Sequence, residues 1–374
     1  MYDDFTLLVD GKEAFPEIIN CIKNAKESIK INMFIWRDDN IGNLMGQSIL
    51  DAANRGVKIY ISIDRYGVVL EKSEESKKSF FHKKITLNEK IKIKALEFLY
   101  PMKGAPKKGI DMESILYKNI MNHPNIEVSK DIFKADHSKY YIIDNKILFM
   151  GGINIEDKEN GMDMQNRVYQ DYMVKIEGKE YVDSLILKLE EGKNYSNDYF
   201  FGVNSKDCIP FNFEMEKLYL DMINNTKKDL IITMAYFSSL KKFNKAIINA
   251  YKRGVNIKIL IPSKANYQGD TNRKTVKKLM KKTNNNITLY FSPKMVHTKM
   301  IITDEYISFG STNITKKAFN QLSELNLFVK NVDSKFRKDL FSSIEENYEL
   351  SIRINHYKKI KYNKLLSFLE GFLV

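Results

Sequence analysis

The chain has 374 residues, 43% of them hydrophobic and 12% aromatic, enough to bury two cores or one large pseudo-symmetric one. Its 60 Lys and Arg against 47 Asp and Glu leave a net charge of +13, which suits a polyanionic partner, either nucleic acid or an anionic membrane surface. Two cysteines, Cys21 and Cys208, exclude a disulfide framework and point to a reducing, cytosolic setting. The N-terminal MYDDFTLLVDGK lacks the basic region and apolar core of a signal peptide. No run approaches the ~20 apolar residues of a membrane span. The expectation is a soluble or peripheral protein.

Residues 14–64 read as helix, strand, helix, strand. Phe15, Ile18, Ile19 and Ile22 fall at helical spacing and predict an amphipathic helix over Ala14–Lys30. Ile29–Trp36 (IKINMFIW) reads as a strand. Asn43–Arg55 reads as a helix closed by Gly56 at C′, and Val57–Ile63 (VKIYISI) as the next strand. The second half repeats this order: helix Glu216–Asp229, strand Leu230–Phe237, helix Phe243–Arg253 closed by Gly254, strand Val255–Ile261. Arg55-Gly56-Val57 matches Arg253-Gly254-Val255. Helix and strand in alternation predict an α/β fold of two pseudo-symmetric halves, each a largely parallel mixed sheet flanked by helices. The halves are expected at 1–205 and 206–374, joined by a polar connection near Asn194–Pro210.

Two stretches stand outside the repeat. The first half carries an insertion of about 38 residues between Tyr66 and Asp131, including KKSFFHKK (Lys77–Lys84) and LEFLYPMKGAPKKG (Leu96–Gly109). Basic residues interleaved with large apolar ones suit a membrane-facing or ligand-covering flap, or a solvated helical excursion with a small core. The tail, Tyr357–Val374, sets Lys358, Lys359, Lys361 and Lys364 ahead of Leu365, Phe368, Leu369, Phe372 and Leu373 at helical spacing. It reads as an interfacial amphipathic helix or as a helix docked on the body.

The chemistry-bearing residues lie in a repeated pattern. Asp136–Asn154 (DHSKYYIIDNKILFMGGIN) holds His137, Lys139 and Asp144, spaced HxKxxxxD, followed by Gly151, Gly152 and Asn154. Val296–Asn313 (VHTKMIITDEYISFGSTN) repeats it with His297, Lys299 and Asp304, then Gly310, Ser311 and Asn313. On a strand the His and Lys share a face, and the Asp, an odd number of residues away, points to the other. Each half then offers an imidazole beside an ammonium, with a carboxylate turned into the scaffold. Chance produces such a pair about one time in a thousand, so two core strands with incidental polar residues is the weaker explanation. A metal site is disfavoured because each lysine would repel a cation and no His/Cys cluster supplies ligands; no metal and no cofactor is expected. His82, His123 and His356 have no such pattern and read as structural or surface residues. Downstream, Asp171 in RVYQDYMVKI and Glu324 in LSELNLFV lie opposite the apolar residues of their strands. Each is placed to orient a histidine through its Nδ1–H, the alternative being an exposed strand acid.

Two HxKxxxxD motifs, followed by GGxN and GSxN, resemble the phospholipase D superfamily over nearly the whole chain, about Asp10–Glu370. Within it, MFIWRDDNIG (Met33–Gly42), ANRGVKI (Ala53–Ile59), GGIN (Gly151–Asn154) and SELNL (Ser323–Leu327) are most similar to bacterial cardiolipin synthases. The resemblance implies phosphodiester transfer. His137 would be the nucleophile and His297 the general acid and base. Lys139, Lys299, Asn154 and Asn313 would hold the phosphate oxygens. Asp171 and Glu324 would orient the histidines, and Asp144 and Asp304 would be structural. The near symmetry of the repeat leaves the choice of nucleophile open. The activity implied is condensation of two phosphatidylglycerols into cardiolipin and glycerol. It would take place on an anionic phospholipid surface, with the protein peripheral at the inner face of the cell membrane. The alternatives are a phospholipase D-type hydrolase, a nuclease of the same superfamily acting on DNA or RNA, and a catalytically dead membrane scaffold. Oligomeric state is open.

Overall fold

The computed structural model describes residues 2–373 apart from Glu75, Lys108, residues 110–112, Tyr195, Asn197 and residues 207–211. Cys208 and part of the expected connection at 194–210 therefore lie outside the described residues. The chain separates into two compact units, Asp4–Ile186 and Met1–Asp3 with Leu187–Val374.

The first unit contains β1 (Phe5–Val9), α1 (Asp10–Asn24), β2 (Ser28–Met33), α2 (Asn40–Asn54), β3 (Lys58–Ile63), α3 (Val68–Ser73), α4 (Leu87–Leu99), α5 (Ile115–Asn122), β4 (Ile126–Ser129), β5 (Tyr140–Ile143), β6 (Ile147–Gly151), β7 (Tyr169–Gln170) and β8 (Tyr172–Glu177). The boundary falls within α6 (Lys179–Glu191). Its sheet runs β1-β8-β6-β5-β2-β3-β4. Ile18, Ile22, Met45 and Ile49 from the helices meet Ile29, Ile31, Ile59 and Ile61 from the strands in one core.

The second unit repeats the plan with β9 (Tyr199–Ser205), β10 (Asn212–Phe213), α7 (Met215–Asn225), β11 (Asp229–Met234), α8 (Lys241–Lys252), β12 (Asn256–Pro262), α9 (Gly269–Lys282), β13 (Thr288–Ser292), β14 (Met295–Val296), β15 (Lys299–Ile302), β16 (Tyr306–Gly310), α10 (Lys316–Asn320), β17 (Glu324–Lys330), α11 (Lys335–Leu350), β18 (Ile352–Ile354) and α12 (Lys364–Leu373). Its sheet runs β10-β9-β17-β16-β15-β11-β12-β13-β18.

The α/β class and the two-half plan hold, but the parallel character is narrower than expected. Among the described strands of the two main sheets, parallel pairing runs through β2-β3-β4 and β11-β12-β13, with isolated parallel bridges at Trp36–Ile155 and Phe237–Ile314. The motif strands pair antiparallel on both sides. Three residues separate β5 from β6 and β15 from β16. A link that short closes a hairpin, whereas parallel neighbours need a crossover of a dozen residues or more.

Helix ends also differ from the periodicity. The helix expected to Lys30 stops at Asn24, and the one expected to Asp229 stops at Asn225. Both stops have the same cause. The Asp144 carboxylate accepts the backbone N–H groups of Lys26, Glu27 and Ser28 at 3.0, 2.8 and 3.1 Å. Asp304 accepts those of Lys227, Lys228 and Asp229 at 2.6, 2.9 and 2.7 Å. These bonds turn the chain out of each helix and into the next strand. Nearby helix carbonyls are taken by the arginine of each Arg-Gly-Val triplet: Arg55 donates to Ile22 and Arg253 to Ile223, both at 3.0 Å. The following Gly56 and Gly254 have φ of +98° and +87°, the left-handed conformation that glycine adopts without strain at C′.

The first part of the insertion packs on the body of the unit. Phe80 and Phe81 are buried against Trp36. Arg37 donates to the carbonyls of Glu71 and Glu74, and Trp36 N–H to Glu71 Oε1. His82 is buried and pairs with Glu71 at 3.3 Å. Burial alone would lower its pKa, but the hydrogen bond and charge of Glu71 outweigh that and raise it. Arg37 and Lys158 close an ionic cluster with Glu74 and Glu156 at 2.6–3.3 Å. It ties the insertion to the segment after GGIN. In the tail, α12 is docked: Glu370 accepts Thr271 N–H and Asp270 accepts Asn363 N–H, each at 2.7 Å. Among the described residues no helix is long and apolar enough to cross a membrane.

Candidate active site

In the first unit the strand begins one residue after Lys139, so alternation along a strand is not what places the motif. Asp144 sits in the β5–β6 turn with φ +50° rather than on a strand face. Lys139 is buried and its Nζ turns back to donate to the carbonyl of His137. An ammonium has three donors, so this bond orients the group without exhausting it. Phe34, at the end of β2, supports both side chains. The His137 ring meets it edge-on at 4.7 Å, and Lys139 Nζ lies 5.2 Å from its centroid.

The backbone leading into His137 is held by acids outside the HxKxxxxD pattern. Asp64 accepts the N–H groups of Tyr66, Lys134 and Asp136 at 2.6, 2.9 and 3.0 Å. Asp136 accepts from Ser138 and, at 3.1 Å, from Asn32 Nδ2. Burial pushes both carboxyls above their usual range, the hydrogen bonds offsetting this only in part. Asp136 directly precedes His137, and that adjacency was the available signal.

Asp171 is buried, not an exposed strand acid. It accepts Tyr172 N–H at 2.8 Å. A Cβ on Gly152 would stand 2.1 Å from Asp171 Oδ2, which is why the position before Ile153 carries no side chain. Asn154 is also buried.

The second unit repeats this with different atoms. Lys299 is fully buried and donates to the carbonyl of His297. His297 packs edge-on to Tyr236 at 6.4 Å. Tyr236 N–H donates to Asn313 Oδ1 at 3.2 Å, which fixes the amide and leaves its NH₂ end as the donor. Glu324 is buried and accepts a hydrogen bond from the Ser311 hydroxyl, whose oxygen accepts Leu325 N–H at 3.0 Å. Gly152 and Ser311 thus solve one problem in two ways: the first clears space for an acid, the second bonds it. In both units the motif aspartate is spent on backbone amides. Burial raises the pKa of Asp144 and Asp304, but the three amides outweigh it and hold each below the carboxylate range.

A family model described as "Cardiolipin synthase, PLD-like domain" matches residues 18–191 and 219–349, taking in both motifs and the Gly/Ser-x-Asn segments that follow them. The chain belongs to this family. It is an enzyme of the phospholipase D superfamily. Among its relatives, cardiolipin synthase 2 of Staphylococcus epidermidis is 24% identical over 390 residues, covering 99% of this chain and 73% of that protein. The cardiolipin synthase of Clostridium perfringens is 25% identical over 377 residues, covering 90% and 70%. Among solved structures, phosphatidylserine synthase of Haemophilus influenzae superposes with a TM-score of 0.69 at 13% identity, covering 99% of this chain and 92% of that one. That likeness concerns the fold.

Proposed function

We propose that this protein is a phosphatidyltransferase that joins two phosphatidylglycerols into cardiolipin and releases glycerol, working at an anionic membrane surface. The observation that carries the reading is the presence of two complete half-sites. Each has a histidine, a buried lysine bonded to that histidine's carbonyl, a buried asparagine and a buried acid. The two half-sites act on one phosphodiester. His137 attacks phosphorus, forming a P–N bond as the P–O bond to glycerol breaks, and His297 gives its proton to the departing oxygen. His297 then takes the proton from a hydroxyl of the second phosphatidylglycerol. That oxygen attacks phosphorus and releases His137. Lys139 and Lys299 neutralise the phosphate oxygens, with the amides of Asn154 and Asn313 as further donors. Asp171 and Glu324 hold the imidazoles in the working tautomer.

The test is product analysis by mass spectrometry after incubation with phosphatidylglycerol vesicles. Cardiolipin with released glycerol is expected, and His137→Ala and His297→Ala should each lose it. Positioned acid–base catalysis alone contributes about 10²–10⁴-fold, and loss of the nucleophile costs more. Phosphatidic acid as the sole product would make water the acceptor. Turnover of nucleic acid but not lipid would replace the reading with a nuclease.

A further inference from the structure

Helix α4, inside the insertion, has two apolar faces. One packs inward: Ile93 and Leu96 join Val68, Val69 and Ile85 in a small cluster separate from the main core. The other faces solvent. Leu87, Ile91 and Phe98 are 74%, 60% and 85% exposed, and at 100° per residue they fall within about 40° of one another on the helix surface. A capping box, Thr86 with Glu89, fixes where the helix starts.

The charges on α4 are sorted by the same division. Both of its acids are spent on the protein: Glu89 on Arg65 at 2.8 Å and Glu97 on Lys77 at 2.6 Å. Lys84, Lys90, Lys92 and Lys94 are exposed, and none has an ion-pair partner among the described residues. Lys90 and Lys94 flank the Leu87–Phe98 stripe on one side and Lys92 lies on the other. The outward face therefore carries three large apolar side chains and only positive charge. That is the pattern of a helix lying in a bilayer interface, with apolar groups at acyl depth and ammonium groups among anionic headgroups.

We propose that α4 docks the protein on an anionic lipid bilayer through Leu87, Ile91 and Phe98, with Lys84, Lys90, Lys92 and Lys94 among the headgroups. This deepens the phosphatidyltransferase reading by naming the element that brings it to its substrate, yet it can fail independently of that reading. The experiment is flotation of the full chain with vesicles of phosphatidylcholine alone or mixed with phosphatidylserine, which is not the proposed substrate. It is run in the His137→Ala background so that no turnover intervenes.

At least tenfold stronger binding to the anionic vesicles is expected. L87S/I91S/F98S should lose at least tenfold of it, with an unchanged melting temperature. K90Q/K92Q/K94Q should lose the anionic preference and flatten the dependence on salt. In the His137-intact protein, L87S/I91S/F98S should turn over phosphatidylglycerol in detergent micelles as the parent does; this arm reads the proposed chemistry separately. Absence of binding by the parent, equal binding to neutral vesicles, or undiminished binding by L87S/I91S/F98S would each overturn the proposal.

Discussion

Replacing Asp144 by alanine tests the claim that the motif aspartate is a backbone anchor. The carboxylate receives three consecutive N–H groups, at 3.0, 2.8 and 3.1 Å, where α1 gives way to β2. A hydrogen bond to a charged group is worth ~1.5–3 kcal/mol when buried, and a helix cap about 1 kcal/mol. Asp144 is half-buried, so water can replace part of what is lost. The set then contributes about 2 kcal/mol, which for a unit of this size lowers the melting temperature by roughly 4–8 °C.

The assay is thermal and urea unfolding followed by circular dichroism, with turnover measured per folded molecule. Turnover should stay close to that of the parent. The pH dependence has a definite sign. The carboxyl is held below its unfolded pKa, so its contribution is fully present above about pH 4 and lost as pH falls through the folded value. The gap between parent and variant should therefore close in acid. An unchanged melt at pH 7, or a loss of turnover that exceeds the loss of folded protein, would refute the anchoring role. Asp304→Ala should behave likewise, and more weakly, because Asp304 is exposed.

Two further perturbations probe features seen only in the structure. Glu74→Gln leaves Arg37 and Lys158 buried with Glu156 as their remaining carboxylate, and should cost about 3 kcal/mol in urea unfolding. Burial raises the Glu74 pKa, but the charges of Lys158 and Arg37 outweigh it and bring it down to about 2. The stability it contributes should persist above about pH 4.3 and disappear towards pH 2. Gly152→Ala puts a methyl group against Asp171, 2.1 Å from Oδ2. If Asp171 positions the catalytic imidazole, turnover per folded molecule should fall about 10²-fold, beyond the ~1–3 kcal/mol that overpacking costs the fold, and unaltered turnover would argue against that role.

The motif and the family it marks were legible because they are written locally. Histidine, lysine, aspartate and asparagine recur at fixed short spacings twice, and no long-range contact is needed to see them. The helix–strand order was legible for the same reason. What ends each helix was not. Lys26 and Asp144 are 118 residues apart, and Lys227 and Asp304 are 77 apart, so periodicity ran past both stops. The ionic cluster was equally hidden: Arg37 reaches Glu156 across 119 residues and Lys158 reaches Glu74 across 84. Reading KKSFFHKK as part of a membrane-facing or ligand-covering flap, or of a helical excursion with its own small core, could not anticipate that Trp36 would supply a core for Phe80 and Phe81. Strand alternation misjudged the setting of the motif residues, since Lys139 precedes its strand and Asp144 follows it.

The two aspartate anchors also bear on how such a chain tolerates growth. Each closes a loop, and the first loop is longer than the second by roughly the length of the insertion: 118 residues against 77. The chain entropy of closing a flexible loop rises only with the logarithm of its length, so the longer closure costs about 0.4 kcal/mol more. That is a fraction of what the anchor returns. New sequence can therefore enter between β3 and the motif without loosening the β5–β6 hairpin that follows the histidine. Selection is free to alter what that sequence touches while the phosphate chemistry stays as it was.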